Sequence, residues 1–321
     1  RRERVDGLRS RGASTGATGG NVRSLLLPVP LDFETNIAAF SIVYGTGPLR
    51  WSLGYQGSFF DNGENALSWP TIYTAHPQWA TGTGFPDGSN RMALEPDNEA
   101  HRLHFDGSLA FGRGTRLYLD AMLGRQTQDE LFVPYTINPV LAVTDTLPQN
   151  SLDARIDTRR FNLRLSARPS SRLNLQARLH YRDRDNRTPI NNYQRVRGDA
   201  VAQENPFAAR INRPYGLTVS GATLNADYRL AGGIRLESGY GFTETDRDFS
   251  EVHSTGEHVV NVGLRSTALN HLALLLDFRH LRRRGDDYIG NLPLITTHVP
   301  GSVDADDFEN HPLLRKYYLS D

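Results

Sequence analysis

The chain has 321 residues, with 36 basic and 36 acidic side chains and no cysteine. Zero formal charge leaves no general nucleic-acid footprint, and the lack of cysteine removes disulfides, thiolate metal sites and Cys-x-x-Cys-His haem attachment. With 38% hydrophobic residues and a mean hydropathy of −0.50, no apolar run approaches the roughly 20 residues of a membrane-spanning helix.

Residues 1–31 are rich in Arg, Gly and Ser and read as a loop or inner-surface segment, with Leu25 to Leu27 closing an earlier strand. About ten strands follow, near 33–45, 49–61, 98–112, 115–128, 155–167, 171–184, 215–230, 233–248, 254–267 and 270–283, because apolar and polar residues alternate along them. In the second, Trp51, Leu53, Tyr55 and Phe59 oppose Ser52, Gly54, Gln56 and Ser58. In the fourth, Leu117, Leu119, Ala121 and Leu123 oppose Arg116, Tyr118, Asp120 and Met122, and in the fifth Phe161, Leu163 and Leu165 oppose Asn162, Arg164 and Ser166. The stretch 172–182 is flawless: Leu173, Leu175, Ala177, Leu179 and Tyr181 alternate with Arg172, Asn174, Gln176, Arg178, His180 and Arg182. Further on, Ile234, Leu236, Tyr240 and Phe242 oppose Arg235 and Glu237, and Leu272, Leu274, Leu276 and Phe278 oppose Asp277 and Arg279.

Strands of roughly eleven residues suit a tilted bilayer crossing. No charge falls on the apolar face of these segments, where a mid-depth Arg would cost about 2–4 kcal/mol. Short turns at 45–48, 112–114, 168–171, 231–233 and 268–270 interleave with long polar links at 62–97, 130–153, 185–213 and 285 onward. That alternation is how up-and-down membrane barrels connect their strands, with short periplasmic turns and long outer loops. The predicted fold is therefore all-β: an up-and-down antiparallel transmembrane β-barrel in the outer membrane of a Gram-negative bacterium.

The polar parity supplies candidate lumen-facing residues that could touch a partner: Arg102, Arg116, Arg164, Arg172, Arg178, Arg182, Arg235, Arg265 and Arg279, beside Asp106, Asp120, Asp227, Glu237 and Asp277. They mix both signs, as an interface would; the bland alternative is pairing across strands or facing water. The apolar parity puts Trp51, Phe59, Phe111, Tyr181, Tyr240 and Phe278 near strand ends, as candidate aromatics of the lipid interface.

The whole chain, 1–321, reads as one barrel segment: 32–284 carries the strands, and 285–321 is a long surface loop leading to a missing strand. A polar start at Arg1 and an ending on Leu319, Ser320 and Asp321 lead to the expectation of an internal piece of a larger barrel. Asp304, Asp306, Asp307 and Glu309 lack the glycine and spacing of an EF-hand and read as a solvated loop. His101 and His104, like His253 and His258, have opposite strand parity, so neither pair can grip one ion. No Gly-x-Ser-x-Gly nucleophile is present, so no enzyme is expected.

Several stretches resemble the MtrB/PioB family of decahaem-associated outer-membrane porins. They are Tyr55-Gln56-Gly57-Ser58-Phe59-Phe60-Asp61-Asn62 with Leu67-Ser68-Trp69, Ala93-Leu94-Glu95-Pro96-Asp97-Asn98 with His101, and Val133-Pro134-Tyr135-Thr136-Ile137-Asn138. Leu147-Pro148, Ser151-Leu152-Asp153, the run 181–189, Asn212-Arg213-Pro214-Tyr215 and the run 311–317 complete the set. The resemblance implies a sheath that holds a periplasmic decahaem c-type cytochrome across the outer membrane for extracellular electron transfer, in metal reduction or iron oxidation. The haem c would belong to the partner, this chain binding no cofactor, and an outer-surface multihaem cytochrome is a further candidate partner. The alternative is a general or substrate-specific porin, with an open or plugged lumen.

Overall fold

Alternation of this kind folds as strands only if each strand has a neighbour for its backbone polar groups, and an up-and-down sheet provides one on both sides. The computed structural model describes residues 1–18, 21–70, 89–112, 114–135, 146–193, 210–269 and 272–288. Its main sheet contains β1 (Arg2–Thr18), β2 (Asn21–Thr46), β3 (Leu49–Asn62), β6 (Asn98–Phe111), β7 (Thr115–Gln128), β8 (Ala154–Ser170), β9 (Leu173–Asn186), β12 (Leu217–Arg229), β13 (Ile234–Arg247), β14 (Ser254–Leu269) and β15 (Leu272–Gly285). These eleven strands are antiparallel and lie side by side in chain order, with β1 and β15 at the two edges. Two small hairpins, β4 (Ala66–Pro70) with β5 (Ser89–Ala93) and β10 (Asn192–Tyr193) with β11 (Arg210–Ile211), lie within the long links. The fold is that of an up-and-down transmembrane barrel.

Cross-strand register shows how the wall is sheared. One lateral row runs Thr46, Leu49, Leu109, Leu117, Leu165, Ala177, Leu224, Tyr240, Val260, His280. It begins at the last residue of β2, beside the Gly47-Pro48 turn, and ends on His280, eight positions beyond Leu272, the first residue of β15. At about 3.3 Å per residue and 4.8 Å per strand this stagger tilts the strands by about 30°, near the roughly 35–45° of membrane barrels. The short turns use residues that accept a left-handed backbone: Gly232 and Gly233 both have positive φ, 71° and 76°.

The apolar face carries its first charge on each strand at Glu34, Asp61, Glu99, Arg125, Arg159, Asp183, Glu244 or Arg282, ten to twelve positions from the short-turn end. On β12 and β14 that face carries no charge at all. Ten tilted residues rise about 27 Å, matching the apolar band of about 25 Å of such barrels. Leu179 and Leu224 are each 54% exposed and Leu276 is 68% exposed, so the side chains of this face have no protein cover and require lipid. Among the described residues only Leu27, Val29, Leu94 and Val252 are buried apolar side chains.

Residues 1–31 correct the expectation of a loop. They form β1 and the first part of β2, a hairpin whose β2 strand pairs with β3 only from Phe33 onward, so the earlier residues project past the long-loop ends. The sequence does not show the pattern because Val5 and Leu8, both exposed, lie three apart and so on opposite faces: beyond the apolar band no lipid requires alternation, although Leu27 and Val29 are buried. Pro28 and Pro30, which cannot donate, stand on the part of β2 that has no β3 neighbour.

The long links are anchored at their roots. Asn62 bonds across the root of its link: its backbone N–H donates to Asp97 (2.7 Å) and its side-chain NH2 to the Glu95 carbonyl (2.8 Å). Ser151 donates to Asp153 at 2.6 Å, the Arg155 N–H to Thr188 at 3.2 Å, and Asn212 to the Pro189 carbonyl at 2.7 Å. Asn62, Ser151 and Thr188 are all buried. The family-like stretches thus supply the hydrogen bonds that start each loop. The cluster at 304–309, the run 311–317 and the turn residue Asn270 lie outside the described residues.

Candidate functional site

The opposite face of the same wall is charged at every depth. A second lateral row, Ala110, Arg116, Ser166, Gln176, Asn225, Gly239, Asn261, Arg279, links it from strand to strand. By this register Arg102, Asp106, Arg116, Asp120, Arg164, Arg178, Arg182, Asp227, Arg235, Glu237, Arg265, Asp277 and Arg279 share one face, away from the leucines; Arg172 sits in the short turn between β8 and β9. With the apolar face against lipid, this face lines the lumen.

Six further arginines join these eight in register on the inner face: Arg50, Arg160, Arg184, Arg229, Arg247 and Arg283. Glu257 joins the five carboxylates, giving fourteen arginines against six acids among the described residues of the main-sheet strands from β3 to β15. Both signs are present, with arginine in excess. Arg160 opens the alternation read over 160–167 and was legible by parity alone; Arg247 and Arg283 lie at strand ends, where alternation fades.

The charges divide into two sectors. On β12–β15, where Arg229 stands opposite Arg235 and Arg235 opposite Arg265, carboxylates lie among the arginines: Arg235 meets Asp227 at 3.0 Å and Glu237 at 3.4 Å, Arg265 meets Glu237 at 3.2 Å, and Arg283 pairs with Glu257. On β6–β9 cations face cations. Arg164 stands directly opposite Arg178, and Arg160 opposite Arg182, a placement that is unfavourable without counter-charge. Asp120 holds Arg160 at 3.2 Å and accepts from Asn162 at 2.7 Å, while Arg178 donates to Asn162 at 3.2 Å. Arg164 lies over the Tyr118 ring at 4.6 Å, and Arg116 donates to its hydroxyl at 3.0 Å. Arg102, Arg182 and Arg279 have no ion-pair partner among the described residues. A depression of about 640 Å³ is lined in part by Ser52, Asp106, Tyr118, Asp120, Asn162, Arg164 and Arg178.

The candidate interface aromatics occupy different depths. Phe111 and Trp51 lie zero and two positions from the short-turn end, Tyr181 and Phe59 eight and ten. Tyr240 and Phe278 stand six positions in, mid-band rather than near an end. Tyr44, whose ring lies 5.7 Å from Trp51, was missed and belongs at the short-turn level. The histidines have local partners: Tyr55 bonds His101 at 2.7 Å on the apolar face, and Tyr240 bonds His258 at 2.8 Å.

Above the apolar band the outer face turns ionic. Asp157, buried, accepts from Arg125 at 2.8 Å and Arg155 at 2.7 Å, with Arg187 at 3.6 Å; Arg159 meets buried Asp183 at 3.2 Å. On the projecting hairpin, Arg9 pairs with Glu95 of the β5–β6 link, and that bond holds the Glu95 carboxyl below the usual carboxylate range. Sequence parity read these strands only as apolar outward, so the rim was missed.

Comparison with known proteins agrees with this two-faced wall. The family model described as "Putative outer membrane beta-barrel porin, MtrB/PioB" matches residues 1–321. "Outer membrane protein MtrB" of Shewanella baltica (strain OS185) is 26% identical over 306 residues, covering 95% of this chain, which spans 40% of the length of that relative. Among solved structures, the outer membrane protein OmpT of Vibrio cholerae is 9% identical with a TM-score of 0.33, over 90% of this chain and 88% of its own. The β domain of the Bordetella autotransporter BrkA is 14% identical with a TM-score of 0.30, over 80% of this chain and 86% of its own. The match along the full chain, on a wall with one lipid face and one charged face, establishes that this is an outer-membrane β-barrel chain and that it belongs to the MtrB/PioB family.

Proposed function

We propose that this barrel is a sheath: it holds a periplasmic decahaem c-type cytochrome inside the outer membrane, so that electrons pass from haem to haem between the periplasm and an outside donor or acceptor. The observation that carries the reading is the inner face, where charged side chains stand at every depth of a wall whose outer face is uncharged for ten positions. A small permeating solute needs a few polar contacts at a constriction; a folded soluble protein needs a polar wall throughout. Family membership supports the same reading. The barrel performs no catalysis and carries no haem; it orients and insulates, while the partner supplies the redox chemistry. An outer-surface multihaem cytochrome would meet the long-loop end.

The test is purification of the full-length protein from detergent-solubilised outer membranes, reading the eluate for haem absorbance. A stoichiometric multihaem protein is expected. A colourless barrel that conducts ions in a planar bilayer would refute the sheath and leave a porin.

A further inference from the structure

We infer that the lumen wall over β7–β9 is a receptor for an acidic protein surface, so that the partner is held in one rotational setting with its carboxylate-rich side against these three strands. The inference rests on the sheath reading and adds the chemistry and orientation of what fills it.

Its basis is an electrostatic asymmetry that the fold itself does not require. A neutral chain with equal numbers of acids and bases places fourteen arginines and six carboxylates on the inner face of the described main-sheet strands from β3 to β15. On β12–β15 the opposed arginines Arg229, Arg235 and Arg265 have Asp227 and Glu237 among them, in ion pairs with Arg235 and Arg265. On β8 and β9, Arg164 against Arg178 and Arg160 against Arg182 form two like-charge pairs on either side of the Asn162–His180 pair, with one carboxylate, Asp120, within reach of Arg160 only. Directly opposed like charges cost stability, and here the cost is not relieved within the described wall. The guanidinium groups are also held in place: Tyr118 carries Arg164 on its ring and accepts from Arg116, and Asn162 orients Arg178. Fixed, unneutralised guanidinium forks match carboxylates, which they bind in bidentate fashion. An acidic patch on the occupant, its haem propionates included, would supply the missing counter-charge.

The experiment uses the full-length barrel purified with its haem protein. Haem retained on the immobilised barrel is followed through a NaCl gradient for wild type and for the R160Q/R164Q/R178Q/R182Q variant. The expected result is salt-dependent release from wild type and about ten-fold weaker retention by the variant, with R235Q/R265Q changing retention far less. Retention that is unaffected by salt and by the quadruple substitution would overturn the inference while leaving the sheath intact. Should the variant fail to assemble, the wild-type salt dependence decides alone: release independent of NaCl overturns the inference. A barrel that purifies without any haem protein and passes small anions would overturn both readings in favour of an anion channel.

Discussion

At the residue scale, what a side chain costs depends on which face and which depth it occupies. Leu163 lies on the apolar face, opposite Leu119 and Leu179, seven positions from Ser170. Leu163→Arg should destabilise the folded barrel by about 2–4 kcal/mol, whereas Thr243→Arg on the inner face, opposite Glu257, should change stability by less than about 1 kcal/mol; denaturant unfolding in lipid vesicles measures both. Gly221 illustrates a different constraint. A Cβ there would stand 2.5 Å from the Phe242 carbonyl oxygen and run into the His180 imidazole, so Gly221→Ala should cost about 1–3 kcal/mol in the same assay. Glu95 makes a pH-dependent link. Its carboxyl is lowered from 4.5 chiefly by the bond from Arg9, so the link stabilises the folded chain above the ordinary carboxylate value and is lost as pH falls through the lowered one. Hydrogen-exchange protection factors at Leu94, Glu95 and Asp97, corrected for the intrinsic pH dependence of exchange, should fall on acidification through that range and change far less in Glu95→Gln.

At the element scale, strands that touch lipid are legible in a sequence and strands that do not are hidden. Nine of the ten predicted strands lie within a few residues of their positions in the fold, and the tenth, 33–45, is the second half of the longer β2, because a lipid face forces a period of two on each. The hairpin of β1 and β2 escaped since no lipid face imposes alternation on it: Leu26 is 74% exposed beside the buried Leu27. The inner face and its excess of arginine were legible as a parity, but which charges face each other was not, because only register shows that Arg160 and Arg182 are opposite each other. The ionic rim around Asp157 was hidden for the same reason: Arg125 and Arg187 are 62 positions apart in sequence and meet through one carboxylate. The two kinds of strand differ in a way that labelling can read. The chain has no cysteine, so Leu26→Cys should react on intact cells with a membrane-impermeant maleimide while Leu163→Cys stays protected. Protection of Leu26→Cys would place the hairpin on the wrong side of the membrane.

At the scale of the whole molecule, the wall separates two environments with one sheet: an uncharged band about as deep as the bilayer core on one face, and a cationic surface on the other. Neither face is covered by protein among the described residues, and few apolar side chains are buried, so stability comes from strand pairing, from lipid and from whatever occupies the lumen. The strand-edge residues of β15 are exposed throughout, and an edge in lipid requires a neighbour. A sheath of this kind should therefore be most stable with its partner in place, by mass action on the filled state. Heating full-length barrels with and without the haem protein should show the filled form melting at the higher temperature.

The most direct test of the account is a photo-cross-linking scan in intact membranes, with a benzophenone amino acid at Arg178 on the inner face and at Leu163 on the outer. The account predicts a haem-positive cross-linked band from position 178 and none from position 163. Haem-negative products from both positions, in cells that express the multihaem protein, would contradict it.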